Sequence, residues 1–239
     1  MLFKEKFGRT PVYGFIPKEK IRFRDKDLFY DDNWLYIFLK KIKLWYGTPK
    51  PGNPNLRGKI VLGIQSTYKD FINNKEITTE KYCGSLSNEE EVEVKELELK
   101  ENEYFTKFNI DFEEAITHLK FTTNTGRYIE VGEEKEETKK TIYFNWSNEP
   151  YMIHSFVGIY NSYGLFALGS IVILRKYFNL FKYFEIIGLR HYFKKNKNER
   201  KKWKNPENLN QLSYDMKAIC KLCTISNESI FVLIMKFIR

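Results

Sequence analysis

The first 174 residues of this 239-residue chain predict an all-β fold, on three observations. Short runs in which apolar and polar residues alternate recur at roughly 8–12 residue intervals, the spacing of a sandwich, barrel or prism. Clusters of Gly, Pro, Asn and Ser separate these runs. No segment of this part carries the 3–4 residue apolar spacing of a helix. An aromatic content of 17% suits strands as well.

In chain order, IRFRDKDLFY (21–30) sets Ile21, Phe23 and Asp25 against Arg22, Arg24 and Lys26. LKKIKLWYG (39–47) places Ile42 and Leu44 between lysines, and TPKPGNPNLRG (48–58), with three prolines and two glycines, reads as a loop. KIVLGIQSTYKDF (59–71) is a strand whose interior Gly63 predicts a bulge. In 91–112, Val92 and Val94 change phase with Leu97 and Leu99 at Lys95-Glu96, which predicts a second bulge.

The segment HLKFTTNTGRYIEVG (118–132) holds two alternating runs around Asn124-Thr125-Gly126, where an Asn that tolerates positive φ and a Gly that adopts it freely mark a hairpin. Its apolar residues Leu119, Phe121, Ile129 and Val131 are expected to divide between the core and the outer face. TKKTIYFNW (138–146), YMIHSFVGIY (151–160) and LFALGSIVIL (165–174) complete the strands, with the turn NSYG (161–164) between the last two.

Residues 175–239 read differently. Tyr177, Phe181, Phe184 and Ile187, then Leu209, Leu212, Met216, Ile219 and Cys223, follow a helical period around the basic run 194–208. The net charge of +9 is divided unevenly: residues 1–174 carry 25 Lys+Arg against 26 Asp+Glu, and residues 175–239 carry 15 against 5. Any attraction to polyanions therefore belongs to the second part. The expected domains are 1–174, the β domain, and 175–239, a basic, helix-prone or partly disordered extension.

Cys83, Cys220 and Cys223 form no disulfide framework, and the last two lack a second ligand pair for zinc. MLFKEKFGRT has no apolar core of signal-peptide length, and no run of ~20 apolar residues suggests a membrane span. A cytoplasmic protein is the expectation.

Three blocks in order carry a family resemblance. Gly63-Ile64-Gln65, then Ile116-Thr117-His118-Leu119 with Thr123-Asn124-Thr125-Gly126-Arg127, then Ala167-Leu168-Gly169 resemble the jacalin-type lectin domain over residues 20–174. The resemblance implies a β-prism of three four-stranded antiparallel sheets. It also implies a non-catalytic carbohydrate-binding module, whose ligand lies at one end of the prism. There, backbone amides of a Gly-rich N-terminal loop and of the loop before the last strand hold a hexose. An aspartate in the last loop accepts from two of its hydroxyls, as an ionised carboxylate can.

This chain departs from that pattern. Phe166 stands at the aspartate position, no acid occurs from Tyr151 to Leu174, and the N-terminal loop KFGRTPVYGF (6–15) has Gly8 and Gly14 without a Gly-Gly run. The implied carbohydrate site is Gly158, Tyr160, Asn161, Ser162, Tyr163 and Phe166, with the tyrosines as apolar platforms. The alternative is a prism that has lost sugar binding and serves as a protein-interaction or structural module. The loop 133–140, with Lys135 among four glutamates, reads as a solvated hairpin.

Other chemistry finds no support. His118, His154 and His191 have no partner at ligand spacing, and Asp31-Asp32 and Asp111…Glu113-Glu114 are not singled out as a glycosidase pair. Neither a phosphate-cradling Gly-Lys-Ser/Thr motif nor a Gly-x-Ser-x-Gly elbow is present. No enzyme activity, cofactor or metal is expected. The implied partner is a glycan or glycoprotein. The run 194–204 offers nucleic acid or an anionic membrane a surface, against the blander reading of a solvated linker, and assembly into a homo-oligomer stays open.

Overall fold

A computed structural model describes residues 7–29, 37–56, 58–70, 74–85, 91–135, 140–143, 145–146 and 149–175. Among the described residues fifteen strands run in this order: β1 Phe7–Arg9, β2 Tyr13–Gly14, β3 Ile21–Arg24, β4 Ile37–Gly47, β5 Ile60–Asp70, β6 Lys75–Thr78, β7 Tyr82–Cys83, β8 Glu93–Glu98, β9 Phe105–Phe112, β10 Ile116–Thr123, β11 Tyr128–Val131, β12 Lys140–Tyr143, β13 Asn145–Trp146, β14 Glu149–Tyr160 and β15 Leu165–Leu174. They form three antiparallel sheets, as the prism requires. The expected C-terminal helices, the basic run 194–204, His191, Cys220, Cys223 and Asp31-Asp32 lie outside the described residues.

Each sheet has four lanes, although two sheets contain more than four strands. In the first sheet, β1 and β2 share the lane beside β15, pairing with residues 171–173 and 167–168, while β3 and β13 share the lane beside β14. Pro11 lies in the break between β1 and β2, where its missing N–H suits an interruption. In the second sheet, ordered β6-β5-β4-β8, β6 and β7 share one lane along β5. The third sheet is β11-β10-β9-β12 without interruption.

Alternation delivers one face of each sheet to a common core. Ile42, Leu44, Val61, Ile64 and Tyr68 enter from the second sheet, Phe108, Ile110, Leu119, Phe121, Ile129 and Val131 from the third, and Phe23, Ile153, Phe156, Leu165, Leu168 and Val172 from the first. Phe121 meets Phe156 edge-on at 5.3 Å between ring centroids, joining the third sheet to the first. A smaller cluster of Trp45, Ile60, Leu62, Ala115, Ile159, Phe166 and Ala167 packs separately.

Several local expectations change. The hairpin's apolar residues do not divide between faces. Leu119 pairs with Val131 and Phe121 with Ile129, so all four share the core face, and His118, Lys120, Tyr128 and Glu130 take the outer one. Gly126 adopts φ +85°, as the turn demands. The bulge beside Gly63 is present as a register shift between Trp45 and Tyr46 opposite it. No bulge occurs at Lys95-Glu96, because β8 pairs with β4 in unbroken register from Glu93 to Glu98. Val94 simply faces outward opposite Trp45 while Leu97 faces the core.

The first long run also stops early. β3 ends at Arg24, and Asp25–Leu28 form a 3-10 turn that carries Asp25 into the interior. Its Oδ2 accepts from the Tyr68 hydroxyl and from the Phe156 amide at 3.2 Å. Burial pushes the carboxyl up to about 6, against these contacts and the nearby Ser66 and Tyr82 hydroxyls, although Oδ1 itself has no hydrogen-bond partner.

Candidate functional site

The turn after β14 gathers its neighbours through named contacts. Asn161 Oδ1 accepts from the Tyr163 amide at 2.8 Å, an Asx turn, and the Asn161 amide donates to Gly164 O at 3.1 Å. Asn161 Nδ2 donates to Glu19 O at 3.2 Å, and the Phe15 amide donates to Phe166 O at 3.1 Å. The segment 15–20 is therefore a strap. It leaves β2 on the β15 side of the hairpin and reaches β3 on the β14 side, crossing beside the turn.

Two further loops meet the same turn. The Ser85 amide donates to Ser162 O at 2.8 Å. In the loop 48–56, Gly52 backs onto the Tyr163 hydroxyl so closely that an added Cβ would sit 3.2 Å from it, and Lys50 Nζ lies 5.5 Å from the centre of the Tyr163 ring. The segment 15–20 thus meets the loop before the last strand, whereas the expected N-terminal loop 6–15 runs along β15, with Gly8 opposite Val172 and Gly14 opposite Ala167.

The six sequence-derived residues are not equivalent. Tyr160, Asn161 and Tyr163 are half-buried and Ser162 is exposed, so these four border the end. Both polar groups of the Asn161 side chain are engaged within the protein, which makes it a clamp between turn and strap. Phe166 is 1% exposed and belongs to the smaller apolar cluster, so its side chain contributes packing at this end. Gly158 is buried opposite Phe23, whose ring occupies the space a Cβ would need, 2.5 Å away. That glycine lets Phe23 stack on Tyr82 at 4.1 Å and meet Tyr160 edge-on at 6.1 Å. Burial, then the charge of Glu80, raises the Tyr160 phenol above its ordinary value, so it remains a neutral donor and acceptor at pH 7.

The strap, Lys50, Gly52 and Ser85 had no signal in the sequence, since pairing across distant segments creates their proximity. The same holds for His118. Strand pairing sets it opposite Asp111 and diagonal to Glu130, with Nε2 3.0 Å from Glu130 Oε1 and Nδ1 3.3 Å from Asp111 Oδ2. The loop 133–135 is likewise no free hairpin. The Lys135 amide donates to Asp111 Oδ2 at 2.8 Å, its ammonium pairs with Glu113 at 2.8 Å, and Asn109 Nδ2 donates to Glu134 at 3.0 Å. His154 is buried, with Nδ1 3.3 Å from the Ser155 hydroxyl and ring contacts to Phe29 and Phe38. Burial pushes the Cys83 thiol up to about 11. Among the described residues no helix is long and apolar enough to cross a membrane, and no group of three His, Cys, Asp or Glu could hold a metal ion.

No curated protein matches the chain. Among solved structures, a mannose-specific jacalin-related lectin from Morus nigra in complex with mannose shares the fold, with a TM-score of 0.51, 16% identity, and coverage of 71% of this chain and 96% of that one. A mannose-binding jacalin-related lectin from Ananas comosus has a TM-score of 0.49 and 15% identity, covering 70% of this chain and 98% of that one. Frutapin, a lectin from Artocarpus incisa, has a TM-score of 0.49 and 17% identity, with 71% and 98% covered. The family model that matches is the jacalin-like lectin domain, over residues 56–171. Strand order and sheet count thus agree with the match of residues 56–171 to the jacalin-like lectin domain.

Proposed function

We propose that residues 1–174 form a non-catalytic carbohydrate-binding module that takes its ligand where the turn 161–164 meets the strap 15–20. The observation that carries this reading is the convergence of these two segments at one end, tied by the Asn161–Glu19 and Phe15–Phe166 hydrogen bonds. The groups offered there are the exposed Ser162, the Tyr163 ring with Lys50 above it, and the Tyr160 phenol. An aromatic ring can cover the C–H face of a pyranose while hydroxyls and an ammonium satisfy its polar edge. With Phe166 in place of a carboxylate, the double acceptor for vicinal hydroxyls is missing, and weak, millimolar binding follows.

The Morus nigra structure holds mannose, so mannosides are the first ligands to try, followed by glucosides and galactosides. Calorimetric titration or a glycan array with the full chain should detect binding that Tyr163→Ala weakens by about tenfold, ~1.4 kcal/mol. A null response to all three sugar classes would discard the reading.

The second reading is a prism that serves as a protein-interaction or structural module. Two observations favour it: Phe166 is sealed in an apolar cluster, and the Asn161 amide is consumed by the fold. Under that reading, partners captured by the full chain stay bound after enzymatic deglycosylation.

A further inference from the structure

The seam between the second and third sheets holds an open hollow of about 400 Å3 lined by Lys95 and Glu96 of β8 and by Tyr128, Ile129, Glu130 and Gly132 on and after β11. It is separate from the turn 161–164, and β8 and β11 are both edge strands there. Tyr128 is 56% exposed, the second most exposed large apolar side chain among those of the described core and surface. The Lys120 ammonium lies 4.4 Å from its ring centre, a contact that steadies the ring while most of the residue still meets solvent.

The carboxylate beside it is held from behind. Glu130 Oε1 faces His118 Nε2 at 3.0 Å, and Oε2 accepts from Lys120 Nζ at 3.0 Å. His118 is fully buried, and its other nitrogen faces Asp111 Oδ2, which also accepts from the Lys135 amide. Burial raises the Glu130 carboxyl, but the His118 and Lys120 contacts outweigh it and hold the group below its usual range, so it is ionised at neutral pH. Each of its oxygens retains acceptor capacity beyond these single contacts.

An exposed ring beside an oriented carboxylate is the combination that binds a sugar's C–H face and a vicinal pair of its hydroxyls. It is also the combination that the prism end lacks. Charges around the hollow cancel, Lys95 and Lys120 against Glu96 and Glu130, and two of them are already paired outward, Lys95 with Glu93 at 2.8 Å and Glu96 with Lys41 at 3.2 Å. An anionic sugar gains nothing there. A peptide adding as a strand is the rival occupant, but β11 is four residues long and lies among Lys and Glu side chains, which disfavour edge pairing.

We propose that the hollow between β8 and β11 is a second binding site, specific for neutral pyranosides with a vicinal diol, with Tyr128 as platform and Glu130 as acceptor. The test is an amide-resolved NMR titration of the full chain with the methyl glycosides of mannose, glucose and galactose, repeated on Tyr128→Ala, Glu130→Gln and Tyr163→Ala. Saturable shifts at Lys95, Glu96 and 128–132 are expected for at least one glycoside. Tyr128→Ala, at an exposed position that leaves the core untouched, should weaken them about tenfold and Glu130→Gln by a similar factor, ~1.4 kcal/mol each, while Tyr163→Ala leaves them within about twofold. Absence of saturable shifts at these amides, indifference to both hollow variants, or occupation by an extended peptide and by none of the glycosides would each overturn the proposal. A glycoside response lost only in Tyr163→Ala assigns binding to the prism end alone and also overturns it.

Discussion

Phe166 stands where the resemblance places an aspartate, and its side chain is sealed in apolar packing. Because Phe166 sits in the apolar cluster with Trp45, Leu62 and Ile159, placing a carboxylate there would bury a charge among apolar side chains. Phe166→Asp should cost on the order of 3–5 kcal/mol in urea denaturation and leave sugar affinity unimproved. A variant of unchanged stability would show that the side chain can turn outward.

Asp25 ties stability to pH through a buried carboxyl. Its folded pKa of about 6 lies above the ordinary value of 3.8, so between these limits the folded state binds the extra proton. Stability from this group is therefore complete below pH ~4 and falls as pH rises through about 6, by up to ~3 kcal/mol from a shift of two units. Glu103 and Glu130 act oppositely: their lowered pKa values add stability above the unfolded value that is lost as the pH falls through the folded one. Asp25→Asn should flatten the stability slope between about pH 4 and pH 6 while leaving the acid limb below it. Urea melts at half-unit pH steps read both limbs, and an unchanged slope would exclude Asp25 as its source.

At the scale of elements, the hairpin turn is held by a residue outside it. Glu103, 2% exposed, accepts from the Thr123 and Thr125 hydroxyls at 2.8 and 2.6 Å through Oε1, and from Arg127 at 2.6 Å and the Lys100 amide at 2.8 Å through Oε2. Burial raises its carboxyl, but the hydroxyls, the amide and the Arg127 charge prevail and lower it. Glu103→Ala removes an acceptor from all four donors and should destabilise by roughly 3 kcal/mol, whereas Arg127→Ala, at a partly exposed partner, should cost about 1 kcal/mol. Equal losses in thermal or chemical denaturation would contradict this ordering.

This hairpin also marks where sequence reading works and where it stops. Leu119, Phe121, Ile129 and Val131 were legible as strand residues because alternation is local, and Gly126 because a turn has a local φ requirement. Their common face was not, since it depends on which residues pair across the turn. The Asx turn at Asn161 is again local, but its bond to Glu19 is not. The reason for Thr123-Asn124-Thr125-Gly126-Arg127 is a carboxylate twenty residues earlier, and the environment of His118 comes from two neighbouring strands. Local rules identify elements, and pairing between distant ones builds the sites.

For the whole molecule, the strands of the described residues form three sheets that share a common core. Residues 1–175 expressed alone should unfold cooperatively, with a midpoint within a few degrees of the full chain, a difference of about 1 kcal/mol or less. A fragment lacking a cooperative transition would make the C-terminal part integral to the domain.

The strap has a practical consequence for how the protein is handled. One margin of the prism end at the turn 161–164 is assembled from residues 15–20, well ahead of the stretch 56–171 matched by the family model. Trimming the gene to that stretch would delete β4, an interior strand of the second sheet, and strip β1 and β2 from β15 and β3 from β14. The first strand contributes nothing to that margin, because β1 pairs with Ile171–Ile173, at the end of β15 remote from the turn.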